Sequence, residues 1–163
     1  MVYAHPVRGS VTVHIAAPPR QVWELVSDVT RIGEFSPETF EAEWIGGATG
    51  PGVGARFRGH VKRNGIGPTY WTSCTVIACE PGSEFAFVVG PSGKPLNTWR
   101  YRLEPAGAGT DVTESFELTR LRWLRLYWSL LGWARGRTNR EGMRATLQRM
   151  KAEAEAQRGS AGR

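Results

Sequence analysis

The sequence predicts an α+β protein in which a curved antiparallel sheet wraps a long C-terminal helix. Three observations predict it. After a first strand and two short helical runs, six segments between Phe40 and Leu118 alternate apolar and polar residues, separated by turns. Such alternation is the mark of strands with one buried face, and the short loops between them require antiparallel pairing. Next, one long helical segment near residues 139–156 is the element able to cover the apolar face of that sheet. Finally, 163 residues with 40% hydrophobic and 22% charged side chains make one domain's worth of globular chain rather than a disordered one. A chain of that length buries roughly 70% of its unfolded surface without disulfide staples. The expected unit is a single domain over residues 1–163, with its core at about 10–156 and a frayed tail at 157–163.

The elements follow in order. Val11, Val13 and Ile15 alternate with Thr12 and His14 in a strand from Ser10 to Ala16. Pro19 opens a helix to Ser27, with Val22, Trp23, Leu25 and Val26 at helical spacing. A second short helix covers Val29 to Glu34 and is stopped by Ser36-Pro37. Strands are then expected at Phe40–Ile45, Ala55–Arg63, Tyr70–Cys79, Glu84–Val89, Asn97–Leu103 and Thr110–Leu118, with Pro105 to Gly109 read as a turn. Leu121 to Ala134 suits a separate short helix, and Thr138 or Asn139 can cap the last helix, which runs to about Ala156.

Charge and cysteine usage narrow the function classes. The net charge is +6, yet residues 1–117 carry 10 Lys and Arg against 12 Asp and Glu, while residues 118–163 carry 11 against 3. The basic character belongs to the C-terminal quarter, and no nucleic-acid recognition motif accompanies it, so nucleic acid is not an expected partner. Cys74 and Cys79 lie about 16 Å apart along one strand, with parity that sends them to opposite faces, which predicts two reduced thiols in a cytoplasmic protein. The histidines His5, His14 and His60 are scattered, so neither a metal nor a cofactor is expected. Gly50-Pro51-Gly52-Val53-Gly54 lacks the Lys-Ser/Thr and the following helix of a phosphate loop. The apolar runs fall short of the roughly 18–20 residues of a membrane-spanning helix, and no secretory signal is expected.

The stretch I-A-A-P-P-R-Q-V-W-E-L-V-S-D at 15–28 resembles the opening of the START-like, or Bet v 1-like, helix-grip superfamily (SRPBCC). The likeness is strongest to polyketide cyclase/dehydrase and lipid-transport-like proteins. It continues through W-I-G-G at 44–47, G-x-R-F-R-G at 54–59, E-P-G at 80–82, W-R-Y-x-L-E-P at 99–105 and G-T-D-V-T-E-S-F at 109–116. The resemblance implies about seven strands around the C-terminal helix and a deep cavity for hydrophobic molecules between them. It implies no universal catalytic motif, so no catalytic residue carries over.

On that frame the inward residues Phe57, Phe87, Trp99, Tyr101 and Phe116 from the sheet, with Met143 and Leu147 from the helix, either line a ligand cavity or simply fill the core. Trp99 and Tyr101 each carry a polar handle that needs a partner. Glu114 shares strand parity with Val112 and Phe116 and should face inward. There it is either a desolvated acid/base or a structural carboxylate held by a hydroxyl or an Arg. His60 and His14 point outward by parity. Residues 120–137 hold Trp123, Tyr127, Trp128 and Trp133 with five Arg and no acid. They read as a lid over the cavity, a contact with an anionic membrane, or an oligomer contact, and the oligomeric state stays open. The leading functional expectation is binding of a hydrophobic small molecule of lipid, polyketide or isoprenoid type, as carrier or sensor. The alternatives are a cyclase or dehydratase-type enzyme acting on such a ligand, and a membrane-surface lipid-handling protein using residues 120–137.

Overall fold

Alternation along the strands builds one seven-stranded antiparallel sheet, in the order β1-β7-β6-β5-β4-β3-β2. In this computed structural model the described residues are 8–65, 67–92, 94–119 and 125–161, with the side chains of 64 and 125–136 excluded. β1 (Arg8–Ile15) is one edge. The chain then crosses through α1 (Pro19–Ser27), a 3-10 turn at Val29–Arg31 and α2 (Ile32–Phe35) to the opposite edge, β2 (Thr39–Ile45). From there it meanders back through β3 (Arg56–Val61), β4 (Tyr70–Glu80), β5 (Glu84–Val89), β6 (Asn97–Ala106) and β7 (Gly109–Leu118), which pairs with β1. The last element is α3, Arg125–Ala161.

Three readings from sequence need correction. The expected break before Thr138 is absent: α3 is continuous from Arg125, so Thr138 and Asn139 lie inside it, and its end is at Ala161 rather than about Ala156. Capping residues cap only where the chain enters a helix from an extended conformation, and no proline interrupts this stretch. Pro105 belongs to β6, opposite Thr110, and the turn is confined to the residues after Ala106. β5 begins at Glu84 opposite Arg102, and Leu103 N–H still donates to the Ser83 carbonyl, but Pro105 lies beyond that bond, where its missing N–H breaks no pairing with β5. Finally, a bulge between Val76 and Ala78 leaves Ile77 exposed and brings Cys79 opposite Phe85, on the same face as Cys74. Both thiols are free.

The core forms where α1 and α3 meet the concave face. Val22, Leu25 and Val26 of α1 are buried, and the Trp23 indole donates to the Glu84 carbonyl at 3.0 Å. Met143, Leu147, Met150 and Ala154 recur at intervals of three and four residues and form the buried stripe of α3. That helix packs chiefly on β1, with smaller contacts to β7, α1 and α2. Its basic residues help to fix it there. Arg149 donates to the Phe35 carbonyl, Lys151 to that of His14 and Arg158 to that of Ala16. Arg31, just ahead of α2, reaches Glu153 of the helix at 3.1 Å.

A close backbone approach holds α2 against β2. A Cβ built at Gly33 would lie 2.0 Å from the Phe40 carbonyl oxygen. Because that neighbour is backbone, it cannot swing aside. Gly33→Ala is expected to destabilise the fold by about 1–3 kcal/mol, read as a lowered urea midpoint; an unchanged midpoint would contradict this packing.

Candidate functional site

Because α3 lies over β1 and β7, the concave face of the remaining strands is not covered by its stripe. A cavity of about 590 Å³ fills the gap. Alternation aims Phe57, Gly59 and Val61 of β3, Thr72 and Cys74 of β4, and Phe85, Phe87 and Val89 of β5 into it. β6 adds Asn97, Trp99 and Tyr101, β7 adds Glu114, and α3 adds Asn139, Met143 and Thr146. Residues 36–39, Arg63, Gly65 and Glu141 also belong to the lining.

The wall is aromatic. Phe57 meets Phe87 edge-on at 5.0 Å and Trp44 at 5.7 Å, and Phe85 stands 6.1 Å from Phe87. Phe87 and Trp99 are only half-buried although they sit on the concave face, because part of each ring borders the cavity rather than protein. Cys74 is buried, and burial pushes its thiol up to about 12, so it is a neutral apolar wall group.

Two polar side chains stand out against this wall. Glu114 is 3% exposed. Its Oε1 accepts a hydrogen bond from the Tyr101 hydroxyl at 2.8 Å, and Tyr101 is equally buried. Among the described residues Glu114 Oε2 has no partner, and neither has Oδ1 of Asn97. Burial raises the Glu114 carboxyl to about 8, against a smaller lowering by the Tyr101 hydrogen bond. Burial and the adjacent carboxyl push the Tyr101 phenol well above its ordinary value. At neutral pH the pair is therefore an uncharged phenol donating to an uncharged carboxylic acid. That acid keeps a proton of its own to offer at Oε2. No group of three or more His, Cys, Asp and Glu suited to a metal occurs among the described residues.

Of the residues named from sequence, Phe57, Phe87, Trp99, Tyr101 and Met143 line the cavity, and Glu114 faces inward at its floor. Phe116 and Leu147 are buried but lie outside the lining. The Phe116 ring lies over Gly9 of β1, where a Cβ would come within 2.9 Å of it, and packs on Trp99 at 5.6 Å. Leu147 is one turn beyond Met143, in the packed stripe of α3. Asn97, Cys74 and Phe85 were not anticipated as lining, although Asn97 has the parity of Trp99 and Tyr101. His14 is exposed beside Asp111, as parity requires. His60 is on the outer face but half-buried rather than exposed, stacked on Trp71 at 4.4 Å and paired with Glu41 at 2.6 Å. Trp123 lies outside the described residues; Tyr127, Trp128 and Trp133 fall in α3 with their side chains outside the description. No helix among the described residues is long and apolar enough to cross a membrane.

A family model described as polyketide cyclase/dehydrase and lipid transport matches residues 6–155. No curated protein matches the sequence. The Polyketide_cyc-like protein Cgl2372 from Corynebacterium glutamicum is 30% identical, with 93% of this chain and 90% of that one covered and a TM-score of 0.57. The di-domain ARO/CYC StfQ of the steffimycin biosynthetic pathway is 14% identical at a TM-score of 0.68, covering 94% of this chain and 52% of that one. TTHA0849 from Thermus thermophilus is 17% identical at a TM-score of 0.67, covering 91% and 97%. At such identities the last two show the fold alone.

The raised Glu114 carboxyl has a consequence for stability. In the unfolded chain it ionises near 4.5, whereas the folded protein keeps the proton to about 8. Between those values the unfolded state has released a proton that the folded state holds, so stability falls as pH rises from about 4.5 to about 8. Glu114→Gln removes that slope. Urea midpoints at pH 5, 6.5 and 8 should show the variant gaining on the wild type as pH rises; a difference constant with pH would contradict the assignment.

Proposed function

The chain belongs to the polyketide cyclase/dehydrase and lipid transport family, and from that membership we propose that it binds a hydrophobic small molecule between the sheet and α3, as a carrier or sensor. The observation that carries this reading is the cavity of about 590 Å³ with its aromatic wall. Its volume is in the range of small-molecule pockets, and a mostly apolar lining with a few placed polar groups is what such pockets share. The helix-grip fold supports the reading, since one helix set along one side of a wide sheet leaves such a space. Nile red, an uncharged apolar fluorophore, is the probe. It should bind with enhanced emission, and Trp99→Arg should weaken binding at least about tenfold by setting an unpaired charge in the cavity. Circular dichroism checks that the variant is folded. Undiminished binding to a folded variant would reject the site.

A second reading is favoured by one observation, the pairing of Tyr101 with a carboxyl of raised pKa at the cavity floor. The ionised fraction of this carboxyl, which grows as pH approaches about 8, can take a proton from the carbon beside a bound carbonyl and return it, which is proton transfer of the cyclase or dehydratase kind. The test is exchange of the methyl-ketone hydrogens of 2-acetylanthracene in D2O, followed by NMR. Acceleration by the wild type and its loss in Glu114→Gln support catalysis; equal exchange with and without protein leaves binding alone.

A further inference from the structure

Two buried polar atoms in the lining of the cavity, Glu114 Oε2 and Asn97 Oδ1, stand without a partner among the described residues. Buried polar atoms are nearly always partnered, so each such exception asks for an explanation. The positions follow from strand register. Glu114 is opposite Tyr101 on β6, and Asn97 begins the same strand four residues earlier. Four residues of strand span about 13 Å. Between them on the inner face lies Trp99, with Phe87 opposite it on β5. The cavity thus has a polar point at each end of an aromatic span.

Resting on the reading of the cavity as a ligand site, the geometry points to a ligand that is elongated, uncharged and largely apolar, with a hydrogen-bonding oxygen at each end, one gripped by Glu114 Oε2 and the other by Asn97 Oδ1. The inner oxygen accepts the proton of the carboxylic acid, whose other oxygen is already engaged by Tyr101. The outer group is a donor such as a hydroxyl, because Oδ1 is an acceptor. An anionic end cannot go to the floor. The other charged groups of the lining, Glu38, Arg63 and Glu141, are not among the groups that act on the Glu114 carboxyl, so an unpaired carboxylate placed beside it would be desolvated without a counter-charge. In register with Glu114, β1 offers Val11 and β6 offers Tyr101; of the α3 lining residues Glu141 is the charged one, and it is not among the groups that act on Glu114. Tyr101 is the one ionisable group found to act on it among the described residues.

The test is competition against bound Nile red by anthracene, 2-(hydroxymethyl)anthracene and 2,6-bis(hydroxymethyl)anthracene. Each hydroxyl should tighten binding by about three- to tenfold, the worth of one buried hydrogen bond. An apolar cavity without partners would give the reverse order, since each hydroxyl would be buried unpaired. Asn97→Leu should erase the gain from the second hydroxyl and keep the first. The double variant Tyr101→Phe with Glu114→Leu, which leaves no orphaned hydroxyl behind, should erase the first and keep anthracene binding. 2-Acetylanthracene, which can only accept, should lose its advantage over anthracene as pH rises through about 8 in the wild type but not in Glu114→Gln, while the hydroxymethyl compound keeps its advantage in both. If Nile red binds and the anthracenes compete equally, or worsen with each hydroxyl, this inference falls and the cavity reading stands. If Nile red does not bind at all, both fall.

Discussion

A single helix laid along one side of a seven-stranded sheet cannot cover it, and that constraint governs the molecule. α3 is committed to β1 and β7 by its buried stripe, and three of its basic side chains reach backbone carbonyls at His14 in β1, Ala16 just after it and Phe35 in α2. The segment from β1 to β2 must travel from one edge of the sheet to the other, and its helices close part of the remaining concave face. Strands β3 to β6 still present inward side chains with no helix packed on all of them. Large aromatics narrow that space without filling it. The charge asymmetry of the sequence has part of its explanation here, since several C-terminal cations anchor the helix rather than wait for an external anion.

Within that space the Tyr101–Glu114 pair is costly by ordinary standards. Removing a carboxylate from water is so unfavourable that the group takes up a proton instead. The result is a neutral donor in the wall of the cavity, with one oxygen engaged and the other without a partner among the described residues. A core that needed only to be stable would hold a hydrophobic side chain at this position, which lies between Val112 and Phe116 along β7. The sites at which local packing rules are broken are the ones that function most often explains.

Much of this was legible in the sequence, and the parts that were not share a physical cause. Strict alternation placed Phe57, Phe87, Trp99, Tyr101 and Glu114 on the concave face. Alternation fails where pairing inserts a residue. The bulge at Ile77 is set by how β4 meets β5, so the face of Cys79 could not be read from its own strand. Inward direction also does not distinguish a lining residue from a packed one. Phe116 and Trp99 have equal claims by parity, and it is the missing side chain at Gly9, on the neighbouring strand, that lets Phe116 sink into the core. Thr138 and Asn139 look like caps, but whether a residue caps a helix depends on the chain before it. Asn97 carried a signal, its parity with Trp99 and Tyr101, that its polar character and its place at a strand end concealed.

Binding of a small apolar molecule in the space between sheet and α3 is the proposal from which the rest follows. Two methionines of α3 provide an internal control. Met143 lines the cavity, whereas Met150, two turns further along the same stripe, is fully buried in packed core. With 13C-labelled methionine methyl groups and Nile red titrated in, ring-current shifts should move the Met143 resonance to saturation and leave Met150 nearly unmoved. A saturable Nile red signal with Met143 unshifted, or with both methyls shifted alike, would place the ligand elsewhere and contradict the account.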